Sequence, residues 1–158
     1  MLSLLEVVFE NVLKTKVIQL FVLLVMASRR VVNVQCREDI ELMNEGELDV
    51  DSLSSLLNFD GDVSVLVSLN DMNIGGVTLP NVLLRLVKYG DCYDIDFNFD
   101  TEEVENTDMT ALVAELHHHA QQIAGEHRMA EFFCGMEPAS DEDTRYFTNE
   151  MLGPLVGR

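Results

Sequence analysis

Tryptophan is absent from this sequence, and proline and cysteine occur only three times each. The cysteines Cys36, Cys92 and Cys134 are odd in number and show no CxxC spacing, which argues against a disulfide framework or a zinc knuckle and fits a reducing cytoplasm. Cations are scarce as well: ten Lys and Arg stand against 28 Asp and Glu, a formal net charge of −18. With so few cations to face phosphates, the chain is not expected to bind nucleic acid or an anionic membrane directly, and its natural partner is basic. No GxSxG, P-loop or GxGxxG motif occurs, and the cysteines lie in apolar or strand contexts. No enzyme activity and no cofactor are therefore expected. The apolar run Val17 to Ala27 is 11 residues long, short of the roughly 20 that a membrane-spanning helix needs. Glu6 and Glu10 dilute the positive charge ahead of it, and Ser28-Arg29-Arg30 is a poor signal-peptide cleavage site.

What is present suits one folded domain of 158 residues, with 47% hydrophobic and 24% charged residues. Charge divides it unevenly. Residues 1–37 hold five basic and two acidic groups (+3), and the other 121 hold 5 basic and 26 acidic (−21). The reading is an apolar, weakly basic N-terminal extension over 1–37 and an acidic domain over 38–158. The extension is either a helix plus a buried strand of the fold, or a stretch upstream of a natural start at Met26 or Met43. On either view the domain from about residue 43 to 158 is expected to fold without it, its own strand and helix patterns supplying a two-layer core.

Within the acidic part, Asp51-Ser52 ahead of Leu53, Leu56 and Leu57 marks a short capped helix. Val63, Val65, Val67 and Leu69 then alternate with Ser64, Leu66 and Ser68 as a strand, and Asn70 to Gly76 reads as a loop. Val82 to Tyr89 and the alternating Tyr93-Asp94-Ile95-Asp96-Phe97-Asn98-Phe99 flank Gly90-Asp91, which predicts an antiparallel hairpin over 82–99 with Gly at the positive φ of a type II′ turn. Thr107 or Asp108 caps a helix whose stripe Met109, Leu112, Val113, Leu116, Ala120, Ile123 and Ala124 ends at Gly125. Arg128 to Cys134 reads as another strand with Phe132 and Phe133 on opposite faces, followed by a short element around Tyr146, Phe147 and Leu152. The expected fold is α+β: an antiparallel sheet of three to five strands with the C-terminal helix packed on one face.

Asp94, Asp96, Asn98, Asp100 and Glu105 fit the ligand spacing of a calcium loop, but Phe99 stands where its sharp turn needs Gly, and the interleaved Tyr93, Ile95 and Phe97 make it a strand. On a strand these polar side chains form a row spaced about 6.6 to 6.8 Å along one face, able to meet a line of Lys or Arg. His117-His118-His119 cannot converge on one metal ion, because neighbours on a helix diverge by about 100°. No metal site is expected. A second acidic group, Glu137 with Asp141, Glu142 and Asp143, lies in a loop. The candidate partner-binding residues are thus Asp94, Asp96, Asn98, Asp100, Glu137, Asp141, Glu142 and Asp143.

The pattern Arg85-Leu86-Val87-Lys88-Tyr89-Gly90-Asp91, then Tyr93-Asp94-Ile95-Asp96-Phe97, a helix, and Gly135-Met136-Glu137-Pro138-Ala139 resembles the small acidic immunity proteins of bacterial polymorphic-toxin and contact-dependent inhibition systems, over roughly residues 43–153. The resemblance implies a cytoplasmic protein that binds a cognate toxin domain, commonly a basic nuclease, and covers its active site. It carries over no individual residues. Opposite net charges suit that role by steering the encounter. The alternatives are a type III secretion chaperone, dimeric and holding an extended effector segment, and a small enzyme or metal protein.

Overall fold

Period-two alternation of apolar and polar residues recurs through this chain and builds a seven-stranded antiparallel sheet with one strongly apolar face. The computed structural model describes residues 4–36, 42–44, 47–58, 60–105, 108–127, 131–136 and 145–148. In chain order the elements are β1 (Leu4–Glu10), α1 (Lys14–Met26), β2 (Ser28–Cys36), the short pair β3 (Met43–Asn44) and β4 (Glu47–Leu48), α2 (Val50–Leu57), β5 (Val63–Ile74), β6 (Val77–Tyr89) and β7 (Cys92–Asp100). A 3₁₀ turn (Thr101–Glu103), α3 (Met109–His127), β8 (Glu131–Met136) and β9 (Arg145–Thr148) follow. The large sheet runs β2-β5-β6-β7-β1-β8-β9, and every neighbouring pair is antiparallel.

The α+β class and the helix on one face are as expected, but the sheet exceeds the expected three to five strands. β1 and β2, from the N-terminal segment, account for the difference together with β9. The segment is both helical and extended, and it lies inside the fold. β1 is inserted between β7 and β8, with Val7 opposite Phe97 on one side and Cys134 on the other. Leu5, Val7 and Phe9 of β1 and Leu20, Phe21 and Leu24 of α1 are each at most 1% exposed and share one core with β5, β6, β7 and α3.

The expected hairpin is present, with Gly90 at φ +58°. β5 and β6 extend beyond their expected ends: Asn70–Gly76, read as a loop, is strand as far as Ile74. The alternation changes phase at Asp71, whose φ of +55° re-aims the chain so that Met72 and Ile74 return to the core. A sequence pattern with a phase slip looks like the end of a strand. The turn itself is Gly75-Gly76, with Gly75 at φ +58° and the Glu115 side chain lying against it.

Helix starts follow local chemistry. α2 begins at Asp49 rather than Asp51: its carboxylate accepts the Ser52 N–H (3.2 Å) and hydroxyl (2.8 Å), and these donors hold its pKa below the ordinary value. Asp108 caps α3 by accepting the Ala111 N–H at 2.7 Å. α3 runs two residues past Gly125, so that glycine does not end it. The buried residues of all three helices belong to the core on one side of the sheet. No described helix covers the other side, where Val8 and Phe133 form a separate pair. Phe132 faces the core, 6.2 Å from Phe9 and 6.1 Å from Phe147 between ring centroids. No described helix is long and apolar enough to cross a membrane.

Two stability outcomes follow from this packing. A chain beginning at Met43 lacks a mid-sheet strand and the α1 layer, so it is expected to give no cooperative thermal melt, where a separable extension would leave the melt intact. The second concerns His117, which stacks on Phe147 with rings 4.5 Å apart. Burial pushes its pKa below the ordinary 6.5. The folded state therefore disfavours the imidazolium, and the stability this site contributes above pH 6.5 is lost as pH falls through the lowered pKa. His117→Phe keeps the stack and removes the titration; its melting temperature is expected to gain on the wild type as the buffer goes from pH 7.5 to 5.

Candidate functional site

The helix-free face of the sheet gathers the polar residues that alternate with the core. Register places Gln35, Leu66, Arg85, Asp96, Val8, Phe133 and Thr148 in one line across all seven strands. At its centre Arg85 donates from Nε (2.9 Å) and Nη2 (2.8 Å) to Oδ2 of Asp96. The side chain of Asp96 is 5% exposed and that of Arg85 48%, so the pair is buried on the carboxylate side and open on the guanidinium side. Sequence alternation puts Asp96 in solvent with Asp94 and Asp100, and the structure corrects this. The cross-strand guanidinium pairs with it, and Val8 of β1 stands opposite it in register.

The other members of the row are half-buried, and Asp94 and Asp100 are tied locally. Asp94 accepts the Asn11 N–H and the Tyr89 hydroxyl, each at 3.0 Å. It thereby holds the β1–α1 turn, where Asn11 has φ +53°. The same hydrogen bond, by stabilising the protonated phenol, pushes the Tyr89 pKa up to about 12. Asp100 accepts the Glu102 N–H at 2.9 Å and so starts the 3₁₀ turn. Asn98 lies between them on the same face, opposite Leu83 and Glu6. The structure thus brings together Asp94, Asp96, Asn98 and Asp100. Glu137, Asp141, Glu142 and Asp143 lie outside the described residues.

The face also holds acids that sequence reasoning missed: Glu6 and Glu10 on β1 and Glu131 on β8. Glu10 and Glu131 are directly opposite each other. Alternation within Leu4–Glu10 was available as a signal, but nothing local shows that β1 lies beside β7. Arg30, opposite Asn70, joins Arg85 among the cations that register places on this face, and Arg145 stands opposite Gly135 on β8. Among the described residues no three His, Cys, Asp or Glu side chains are gathered to hold a metal ion. What the surface offers is carboxylates and amides around a small apolar and ion-paired centre, suited to cationic groups of a partner.

Comparison with known proteins gives two matches. The family model of the PABL017 Cdi1I immunity protein matches residues 3–152. Among solved structures, a chain in the 1.75 Å crystal structure of the toxic C-terminal tip of CdiA from Pseudomonas aeruginosa in complex with immune protein is similar at 32% sequence identity and a TM-score of 0.82, over 99% of this chain and 100% of that one. No curated protein matches this chain. Both likenesses run through β1, α1 and β2, where the motif resemblance extends only over roughly residues 43–153.

Asp96→Asn is expected to lower stability by about 1–3 kcal/mol, the range for hydrogen bonds to charged groups, because Arg85 loses its carboxylate but can rehydrate on its open side. Denaturant melts of Asp96→Asn, Arg85→Met and the double variant check this. Additive losses would show that the two side chains act independently.

Proposed function

The chain belongs to the PABL017 Cdi1I immunity protein family, and we propose that it neutralises the toxic C-terminal domain of a CdiA-type protein by binding it through the helix-free, acidic face of the sheet. One observation carries this reading. All three described helices pack on one side of the sheet, leaving a face on which Glu6, Glu10, Asp94, Asp96, Asp100 and Glu131 outnumber Arg30 and Arg85. A sheet face left open at this size normally needs a second layer, and an acidic one is complementary to a basic toxin domain. The resembled complex of a CdiA tip with immune protein supports the class of partner.

Family and surface speak for binding rather than catalysis, and for a cytoplasmic site of action where the toxin would otherwise act. A basic toxin, such as a nuclease, suits the charge: carboxylates at an interface occupy the positions that phosphates take on a nucleic-acid-binding surface, and opposite charge speeds association. The secretion-chaperone alternative makes a different demand, a continuous apolar groove, whereas on this face Leu4, Val8, Leu66, Leu83, Val87 and Phe133 are interspersed with carboxylates and amides.

The test uses the cognate CdiA-type C-terminal toxin domain. Glu131→Lys, on the open face, is expected to weaken its binding about tenfold, equivalent to ~1.4 kcal/mol. Glu126→Lys, exposed on α3 on the helical side, is expected to leave affinity within a factor of about three. Equal effects of the two in a titration would move the interface off this face.

A further inference from the structure

The open face is not flat. Between β2, β5, β6 and β7 lies a hollow of about 420 Å³, whose walls include Val32, Asn70, Leu83, Asn98 and Asp100, with Glu103 of the 3₁₀ turn at its edge. We infer that this hollow receives one lysine or arginine side chain of the toxin, an inference that rests on the toxin-binding reading given above.

Three features select a cation. Asn70 and Asn98 are half-buried, yet their side-chain amides make no hydrogen bond among the described residues, so the hollow presents polar groups whose partner comes from outside. An apolar occupant would strand those amides in a desolvated interface. Asp100 and Glu103 contribute carboxylates, and both are fixed in place: the Glu102 N–H holds Asp100 at 2.9 Å, and the Asn81 amide donates to Glu103 Oε2 at 2.6 Å. An anionic occupant would be repelled by them. The wall formed by Leu83 and the 48%-exposed Val32 is apolar, which matches the aliphatic stem of Lys or Arg below a charged head. Hydrogen-bond acceptors at one end and hydrocarbon at the other are the complement of those two side chains.

Asn98 tests the idea because substitutions of opposite charge there have opposite expected effects. Asn98→Arg places a cation in the hollow and is expected to weaken binding of the cognate CdiA-type C-terminal toxin domain about 100-fold. Asn98→Asp is expected to leave affinity unchanged or tighten it. Asn70→Arg, on the neighbouring strand region of the hollow, repeats the first change, and thermal melts confirm that each variant is folded. On the toxin side, alanine replacement of its Lys and Arg residues in turn is expected to reveal one position whose loss is not additive with Asn98→Arg. Equal weakening by Asp and Arg at position 98 would mean that the hollow seats an apolar or neutral group and would overturn the inference. Full affinity in both Arg variants would show that the toxin does not enter the hollow, while leaving the neutralisation reading intact. Failure of the wild-type protein to bind the domain at all would sink both.

Discussion

The fold depends on β1 lying between β7 and β8. An antiparallel sheet interior needs each strand to satisfy its backbone groups on both sides, and β1 does so with partners about 90 and 125 residues away in the chain, as in Val7 with Phe97 and Cys134. That single insertion joins β8 and β9 to the β2-β5-β6-β7 half and makes the inner face continuous. α1 follows β1 directly and covers the join, so Phe21 and Leu24 become wholly buried. Charge sorting along the sequence does not coincide with this organisation. The N-terminal segment is apolar where β1 and the inner face of α1 enter the core, while β2 is largely exposed.

Local chemistry was legible in the sequence, and long-range assembly was not. The hairpin around Gly90-Asp91, the α3 stripe from Leu112 to Ile123 with its Asp108 cap, and the opposite faces of Phe132 and Phe133 all follow from spacing and turn chemistry, and the structure agrees. The strand from Asn70 to Ile74 was hidden by the phase change at Asp71, which no residue-type pattern announces. The place of β1 was hidden because strand pairing over such separations leaves no local trace. At the candidate site, alternation identified the row Asp94, Asp96, Asn98 and Asp100 as sharing one face, but it could not show that Asp96 is buried, since its partner Arg85 comes from across the hairpin and its other register neighbour, Val8, from the distant β1.

Acidity in this protein has two physical roles that the structure separates. Some carboxylates are building material: Asp49 and Asp108 start helices, Asp94 fixes the β1–α1 turn, and Asp96 anchors Arg85. Others, such as the exposed Glu131 on β8, make no hydrogen bond or ion pair among the described residues. Residues of the second kind are the ones that a partner can exploit without the fold being spent in the process. The family membership gives that distinction its use.

The placement of β1 also bears on how the molecule comes into being. Its strand partners are synthesised long after it, so a growing chain on the ribosome carries residues 4–10 with their apolar side unsheltered until residues 92–100 and 131–136 have emerged. A sheet whose contacts are this distant in sequence closes late and slowly. The open acidic face is complete only when β1 is seated, because Glu6 and Glu10 belong to it. Protection by such a protein therefore arrives in one step, with the finished molecule, and a prematurely terminated chain would confer none of it.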